Sequence, residues 1–295
     1  MLLTKTSPLI LFLSCSQPSE NIVPEDMFKV ETKELVYKDG LAFEPYSETA
    51  YTGQSLEFFE NGKPSLDATY KKGLLEGRYK SWYENGQIKE NATYSAGTLH
   101  GTSTKWFSNG HKQESATYTN GRLDGTHTVW SETGVKTQES FHRSGKKEGR
   151  TTLWYDNGLK KREIQYKNGL EHGISNEWYE SGQPKESKSF SDGQKSGQWQ
   201  AWYKDGVKKY TGTYEKDLKV GTWKYWRSNG KKESVENHLA GEPTGTWTTW
   251  HANGRRASEG TYTSGKKDGR WVVWAENGAK ESDIIYASGL PQSQQ

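Results

Sequence analysis

The sequence predicts an all-β protein, an elongated and largely single-layer antiparallel sheet of about ten 24-residue β-hairpin repeats. Two observations lead to this prediction. Glycines recur with a constant step of 24 residues, and nine of the 13 tryptophans occupy one position of the same repeat. A unit of this length with fixed glycines is too short and too interrupted for a pair of helices, whereas it suits two strands and their turns.

The composition favours a repeat array over an ordinary globular core. Leu, Ile, Val and Phe together make up about 15% of the 295 residues, a level found in disordered chains. The formal net charge is only +3, however, and 13% of the residues are aromatic. Aromatic rings carry large apolar areas, so the chain can be ordered if its rings are placed regularly.

Each repeat contains three fixed glycines. The three series are Gly62 to Gly278, Gly53 to Gly269, and Gly73 to Gly289, the last failing only at Asp217. The first series closes pentapeptides such as WYENG, and seven of its ten copies read Asn-Gly. Because a type I′ turn needs positive φ at both central residues, Asn-Gly is the strongest hairpin-turn signal. We therefore predict a two-residue turn at each Asn-Gly.

A two-residue loop at Asn-Gly fixes the register of every hairpin. The predicted opposite pairs are Tyr83 with Ile88, Trp82 with Lys89, Tyr79 with Ala92, Trp199 with Gly212, and Trp247 with Gly260. Large side chains thus lie opposite small ones. Since side chains alternate between faces, the recurrent tryptophans fall on one face with Thr93, and Tyr83 and Tyr94 fall on the other.

The repeat resembles a known family. The segment GRYKSWYENGQIKENATYSAG is similar to the bacterial variant of the MORN (membrane occupation and recognition nexus) repeat. The lead-in DGLAFEPYSETAYTGQ, residues 39–54, resembles the segment that opens many members of the YwqK family of antitoxins. The resemblance covers roughly residues 37–289. It implies a MORN-type array that serves as a scaffold, and the antitoxin label implies a toxin partner.

The N-terminus resembles a bacterial lipoprotein signal. Residues 1–14 contain Lys5 and then an apolar run too short to span a bilayer, in which Phe12 departs from the usual Leu. The resemblance implies cleavage before Cys15, the only cysteine, and acylation of that residue, and Ser16 after it favours the outer membrane as the destination. The alternative is an incidental cysteine near a start that is not a signal.

The lipoprotein interpretation divides the chain into four parts. These are a signal peptide (1–14), a lipid-anchor tether with the family lead-in (15–52), the repeats (53–289) and a tail (290–295).

Catalytic chemistry is not indicated. The seven histidines occupy different positions of the repeat and form no metal-ligand spacing. No serine lies in a nucleophile-elbow context, and no glycine spacing matches a phosphate-binding loop. Carboxylates that recur from copy to copy do not resemble the single constellation of an active site. We expect no catalytic residue, metal or cofactor.

A basic row follows the hairpin turn at one position of the repeat. Its members are Lys112, Lys136, Lys160, Lys208, Lys232, Arg256 and Lys280. Such a row suits polyanions such as lipid head groups, lipopolysaccharide or nucleic acid, although the net charge disfavours nucleic acid. The alternative is that these side chains keep the hairpin tips soluble and discourage edge pairing.

An aromatic strip is confined to the C-terminal third. It consists of Trp199, Trp223, Trp247, Trp271, Tyr203 and Tyr225. If exposed, the strip suits a protein, peptide or glycan, because aromatic residues are enriched in binding hot spots. The alternative is that it is packing, with each ring covering a glycine or a neighbouring strand.

These observations lead to one functional prediction and two alternatives. We expect a non-catalytic, lipid-anchored scaffold of the bacterial envelope that binds a protein partner. The first alternative is a YwqK-type antitoxin that neutralises a toxin by direct binding. The second is a binder of anionic lipid or glycan, for which the basic row and the aromatic strip are the candidate features.

Overall fold

The computed structural model describes residues 29–31 and 35–292. This part of the chain is built from strands and turns, and it has no helix long and apolar enough to cross a membrane. Residues 1–14 and Cys15 lie outside the described residues, so the predicted signal and lipid anchor stay predictions.

The strands follow one another with the period of the sequence. They are β1 (Lys29–Glu31), β2 (Val36–Lys38), β3 (Leu41–Phe43), β4 (Gly53–Phe58), β5 (Pro64–Lys71), β6 (Leu74–Trp82), β7 (Ile88–Ser95), β8 (Thr98–Leu99), β9 (Gly101–Trp106), β10 (Lys112–Thr119), β11 (Arg122–Trp130), β12 (Lys136–Arg143), β13 (Lys146–Trp154), β14 (Lys160–Lys167), β15 (Leu170–Glu171), β16 (Gly173–Trp178), β17 (Pro184–Ser191), β18 (Gln194–Lys195), β19 (Gly197–Trp202), β20 (Lys208–Glu215), β21 (Leu218–Trp226), β22 (Lys232–Leu239), β23 (Glu242–Pro243), β24 (Gly245–Trp250), β25 (Arg256–Thr263), β26 (Lys266–Trp274), β27 (Lys280–Ala287) and β28 (Leu290–Pro291).

Ten hairpins form one long, open antiparallel sheet, which confirms the predicted fold. The second strand of each hairpin begins 24 residues after that of the previous one, from Pro64 to Lys280. In four hairpins the first strand is interrupted after two residues, so that it is formed by β8 with β9, β15 with β16, β18 with β19, or β23 with β24.

The two ends of the sheet differ. At the N-terminal end, β1 pairs in parallel with β4, and the separate hairpin of β2 and β3 adjoins the first repeat. A small apolar cluster is buried there, formed by Leu35, Ala42, Tyr51, Ala68 and Tyr70. At the C-terminal end, β28 pairs with only two residues of β27. Among the described residues, the N-terminal edge is therefore the better covered.

The turn prediction at Asn-Gly is wrong. Gly86 has φ +91°, whereas Asn85 is not among the residues with positive φ. The Gly86 N–H donates to the Tyr83 carbonyl, and the Tyr83 N–H donates to the Gln87 carbonyl. This is the hydrogen-bond pattern of a three-residue hairpin loop with a glycine bulge. One more residue than predicted therefore belongs to the loop.

The type I′ geometry occurs at the other end of the hairpins. Lys72 and Gly73 both have positive φ, and the flanking Lys71 and Leu74 are paired. The same holds at each later copy, including Lys216–Asp217, where aspartate adopts φ +67° in place of glycine. The third glycine series thus supplies the two-residue turns that connect successive hairpins.

The predicted register holds in the strand bodies and fails beside the loop. Tyr79 pairs with Ala92, Trp199 with Gly212 and Trp247 with Gly260, as predicted. Trp82 instead pairs with Ile88 because the register shifts between Ser81 and Trp82. The predicted pairs Tyr83–Ile88 and Trp82–Lys89 are therefore wrong, and the bulge glycine is the physical reason.

Side chains at the hairpin tips join each repeat to the next. The Nδ2 amides of Asn85, Asn109 and Asn157 donate to backbone carbonyls 23 residues later, at 2.8–2.9 Å. The hydroxyls of Tyr83, Tyr155, Tyr179 and Tyr203 donate to the carbonyl of the following recurrent tryptophan, at 2.7–2.9 Å. Arg227 and His251 make the equivalent bond where tyrosine is absent. The tips thus form hydrogen-bonded ladders along one side of the sheet.

Candidate functional site: the tryptophan face

One face of the sheet carries the recurrent tryptophans, which we call the tryptophan row. Its members are Trp82, Trp106, Trp130, Trp154, Trp178, Trp202, Trp226, Trp250 and Trp274. All nine are half-buried, and Phe58 takes the position in the first hairpin, where it is exposed. Each ring thus packs against its neighbours while keeping part of its surface accessible.

The basic row lies against the tryptophan row. Each member up to Arg256 places its cationic group over the indole of the next hairpin, at 5.5–6.0 Å from the ring centroid. The pairs are Lys112–Trp130, Lys136–Trp154, Lys160–Trp178, Lys208–Trp226, Lys232–Trp250 and Arg256–Trp274. Each such cation–π contact contributes about 0.5–1 kcal/mol at an exposed site. The basic row is therefore part of the packing between hairpins.

Carboxylates engage four members of the basic row. Lys136, Lys160, Arg256 and Lys280 each pair with an acidic residue three positions later, at 2.5–3.1 Å. At the last pair, Arg270 also binds Asp283, and the two cations hold the pKa of this carboxyl well below its usual range. Lys112, Lys208 and Lys232 have no carboxylate partner within residues 35–292, so they are the members best placed to meet an external anion.

The aromatic strip predicted in the C-terminal third is not an exposed surface. Trp199, Trp223 and Trp271 are buried, and Trp247 is half-buried. Each of the four indole N–H groups donates to a backbone carbonyl ten residues earlier, at 2.9–3.2 Å. The rings therefore lie across the preceding strand, as the packing alternative described.

These rings form two short runs of edge-to-face contacts. Phe190, Trp199, Tyr214 and Trp223 follow one another with centroids 4.9–5.4 Å apart. His238, Trp247, Tyr262 and Trp271 form the second run at 5.0–5.3 Å. Such geometry is favourable for aromatic pairs. The strip is therefore arranged as the packing alternative described, with its rings against neighbouring rings and strands. A role of these residues in binding stays a prediction.

The two tyrosines of the strip lie in different places. Tyr225 stacks on Trp223 with centroids 6.1 Å apart, and burial together with Glu236 raises the pKa of its hydroxyl. Tyr203 lies at a hairpin tip and bonds the Trp226 carbonyl. Of the two tyrosines, only Tyr225 therefore packs against the tryptophans of the aromatic strip.

Two glycines allow the large rings to fit. A Cβ atom at Gly212 would lie 2.0 Å from the Trp223 ring, and one at Gly260 would lie 2.1 Å from the Trp271 ring. Pairing of large and small residues was predicted within a hairpin, with Trp199 opposite Gly212. The ring that covers Gly212 nevertheless comes from the next hairpin, where Trp223 lies across β20 and donates its indole N–H to the Thr213 carbonyl.

Histidines near the middle of the array form a partly buried cluster. His127 bonds Glu114 at 2.8 Å, and its ring lies 6.0 Å from that of His142. Burial, together with the nearby His127 and Lys147, lowers the pKa of His142. No group of three or more His, Cys, Asp or Glu residues in the described part of the chain could hold a metal ion.

Sequence reasoning missed a cleft in the tryptophan row. It lies between Trp178 and Trp202, at the one hairpin in the middle of the array whose basic-row position is held by Pro184. The sequence does show that Pro184 interrupts the basic row. It does not show which indole each basic side chain covers, so the interruption could not be recognised as an uncovered tryptophan.

Five segments of the chain match the family model described as the MORN repeat variant: residues 51–72, 75–96, 99–120, 147–168 and 171–192. These matches identify MORN-type repeats, and the intervening and later hairpins continue the same 24-residue step. The four hairpins that contain the tryptophans of the aromatic strip lie beyond the last matched segment. No curated protein matches the chain.

Proposed function

We propose that this chain is a non-catalytic, lipid-anchored scaffold of the bacterial envelope that binds a protein partner along its tryptophan face. Repeats of the MORN type generally serve as binding and scaffold modules. The observation that supports the proposal best is the row of nine half-buried tryptophans, one in each successive hairpin. Aromatic and arginine side chains are the usual hot spots of protein interfaces.

The geometry supports a partner that recognises a repeated pattern. Six pairs of adjacent hairpins offer one indole and one cation in the same arrangement, so an extended partner with acidic and apolar groups can contact several repeats. The individual contacts are modest, and their sum over several repeats supplies the affinity. Lys208 and Lys232, which have no carboxylate partner within residues 35–292, are consecutive members of this row. They create a local positive potential that attracts acidic groups of the partner.

The first test addresses the anchor. Metabolic labelling with a palmitate analogue compares the native chain with Cys15→Ala in a bacterial host. Labelling that depends on Cys15, together with recovery in the outer-membrane fraction, is the expected outcome. An unlabelled native chain that stays in the cytoplasm would overturn the envelope location and favour the antitoxin alternative, which needs a toxin in the same compartment.

The second test addresses the binding face. Lys208→Glu combined with Lys232→Glu reverses two charges beside the tryptophan row, and crosslinking in cells reports the partners. We expect a specific crosslinked band to weaken at least tenfold. The control combines Lys204→Glu and Lys216→Glu, which make the same change at exposed turn residues off the row. Equal bands in both variants would place the binding surface elsewhere.

The anionic-lipid alternative is distinguished by the same variants. Vesicles containing anionic lipid should bind the native chain, and the charge reversals at Lys208 and Lys232 should release it. Binding that is retained in this double variant would exclude the row as a lipid site.

A further inference from the structure

A cleft of about 320 Å³ opens on the tryptophan face between two successive hairpins. Trp178 and Trp202 lie at its two sides, and Asn176, Ser187 and Gln200 lie between them. All five side chains are half-buried. The volume falls within the range of small-molecule sites in proteins.

The three polar residues form a continuous row across adjacent strands. Asn176 on β16 pairs with Ser187 on β17, and Ser187 pairs with Gln200 on β19. Side chains at directly opposite positions have Cβ atoms about 4.5–5.5 Å apart. None of the three side chains has a hydrogen-bond partner among residues 35–292. Together they present two amides and one hydroxyl, which can both donate and accept hydrogen bonds.

The cleft differs from the hairpins on either side in having no basic-row side chain over its second indole. In the preceding hairpin Lys160 and Glu163 form an ion pair at 2.7 Å, and Lys160 covers Trp178. In the following hairpin Lys208 covers Trp226. Pro184 takes the corresponding position here, so no basic-row side chain reaches Trp202. The Trp202 ring is left without the cation that its neighbours in the row have.

The acidic residues at the margin are already engaged. Glu177 binds Lys185 at 2.6 Å. Glu186 binds Lys188 at 2.5 Å and also accepts a hydrogen bond from the Tyr210 hydroxyl. Their charges are therefore balanced by the protein, and the cleft as a whole offers a ligand neutral polar groups between two apolar rings.

We propose that this cleft binds an uncharged carbohydrate chain. A pyranose ring has an apolar C–H face that stacks on an indole, and it carries hydroxyl groups around its rim that both donate and accept hydrogen bonds. The Trp202 ring, which the basic row leaves uncovered, lies beside a row of amide and hydroxyl groups and so matches both properties. An anionic ligand is disfavoured because no cation lines the cleft. The site thus lies on the same tryptophan face as the proposed partner surface, in a stretch where the basic row is interrupted.

Titration calorimetry of the purified full-length chain tests this inference with two neutral probes, cellotetraose and tetra-N-acetylchitotetraose. We expect at least one of them to bind with a Kd of about 1 mM or lower. A sulfated heparin tetrasaccharide should not displace it.

The decisive variant is Pro184→Lys, which restores the residue type that most other hairpins carry at this position. The new lysine should cover Trp202 and reduce binding at least tenfold. Pro64→Lys makes the same substitution at the equivalent position of the first hairpin and should leave binding unchanged. Gln200→Lys, which copies Lys80 and Lys224 at their equivalent positions, should weaken binding by a similar factor.

The inference would be overturned if neither neutral probe binds the native chain at a probe concentration 10-fold above about 1 mM. Equal binding of the probe by Pro184→Lys and by the native chain would also overturn it, as would displacement of the neutral probe by the sulfated one. Unfolding temperatures of all variants show whether lost binding reflects lost structure. If Pro184→Lys and Gln200→Lys both unfold, probe binding is compared between the native chain and Asn176→Thr. This variant removes one amide of the cleft and introduces the residue found at the equivalent Thr152. The crosslinked band that depends on Lys208 and Lys232 should persist in Pro184→Lys, because this substitution adds a cation to the row and removes none, so the two proposals can fail separately.

Discussion

At the scale of single residues, small and large side chains are coupled across the boundary between hairpins. Between hairpins of the N-terminal part, Ala68 lies opposite Tyr79 and Ala116 lies opposite His127, and the equivalent positions of the boundary between them hold Ala92 and Ser103. In the C-terminal third, Gly212 and Gly260 lie beneath Trp223 and Trp271. Glycine is required here by the indole that covers it, since neither residue has a positive φ.

This coupling predicts the outcome of a double-mutant cycle. Gly212→Ala should destabilise the protein by about 1–3 kcal/mol, because the added methyl group overlaps the Trp223 ring. In a Trp223→Ser background, the same change should be nearly neutral, since it restores an Ala and Ser combination like that of the N-terminal hairpins. Chemical denaturation of the four proteins measures the coupling energy. Simple additivity would contradict the assigned contact.

A second prediction at this scale concerns pH. His142 is buried, and burial lowers the pKa of its imidazole, so the folded protein binds a proton there less readily than the unfolded chain does. The unfolded chain binds a proton near the ordinary pKa of about 6.5. Because the unfolded chain then binds more protons than the folded one, the free energy of unfolding should decrease as the pH drops below about 6.5. Above this pH, His142 should have no effect on it.

The variant His142→Tyr tests the pH prediction. Tyrosine occupies the equivalent position in seven of the ten hairpins, including Tyr94 and Tyr118, so the substitution suits the fold. The difference in unfolding temperature between pH 7.5 and pH 5.5, two values on either side of about 6.5, should shrink in this variant. His100→Asn changes an exposed histidine and should leave the difference as it is.

At the scale of elements, the hairpin tips depend on asparagine for its hydrogen bonds. Asn109 Oδ1 accepts a bond from the His111 N–H at 3.0 Å, and its Nδ2 donates to the Glu132 carbonyl at 2.8 Å. The first bond closes the loop, and the second joins it to the next hairpin. Aspartate at Asp205 makes only the first kind of bond, to Val207 at 3.1 Å.

Asp205→Asn should therefore stabilise the protein. The new amide supplies the donor that Asp205 lacks and can reach the backbone carbonyl of the next tip, a bond worth about 0.5–1.5 kcal/mol. The reciprocal change, Asn109→Asp, should destabilise by a similar amount. Thermal unfolding measures both effects, and a loss of stability in Asp205→Asn would contradict the role assigned to the tip amides.

At the scale of the whole molecule, stability comes from contacts between neighbouring hairpins. An isolated hairpin is at best marginally stable in water, and each repeat here contacts mainly those before and after it. The apolar cluster around Tyr51 and Tyr70 covers the N-terminal end alone. The array thus behaves as a one-dimensional assembly whose length follows from the number of repeats.

Removal of one whole repeat should leave the fold intact. Deletion of residues 112–135 joins His111 to Lys136 and keeps every later residue at its position in the repeat. Small-angle scattering should show a particle shorter by about 9–10 Å, the width of two strands.

The control deletion removes residues 112–136, one residue more. A shift of one residue exchanges the two faces of a strand, so this variant should lose much of its thermal stability. Similar unfolding temperatures for the two deletions would contradict the dependence on repeat phase.

The sequence by itself determined the number of hairpins, their 24-residue step and the pairing of residues such as Tyr79 with Ala92. These features follow from the local period of glycine and tryptophan, which a strand and its turn express without help from distant residues. The tertiary structure decided which glycines form two-residue turns, because Asn85 keeps an ordinary φ in a three-residue loop and positive φ at two successive residues occurs at Lys72–Gly73 and its later copies. It also decided that Trp199, Trp223 and Trp271 are buried. The direction in which an indole lies depends on the bulge beneath it and on the hairpin beside it, and only the assembled sheet fixes both.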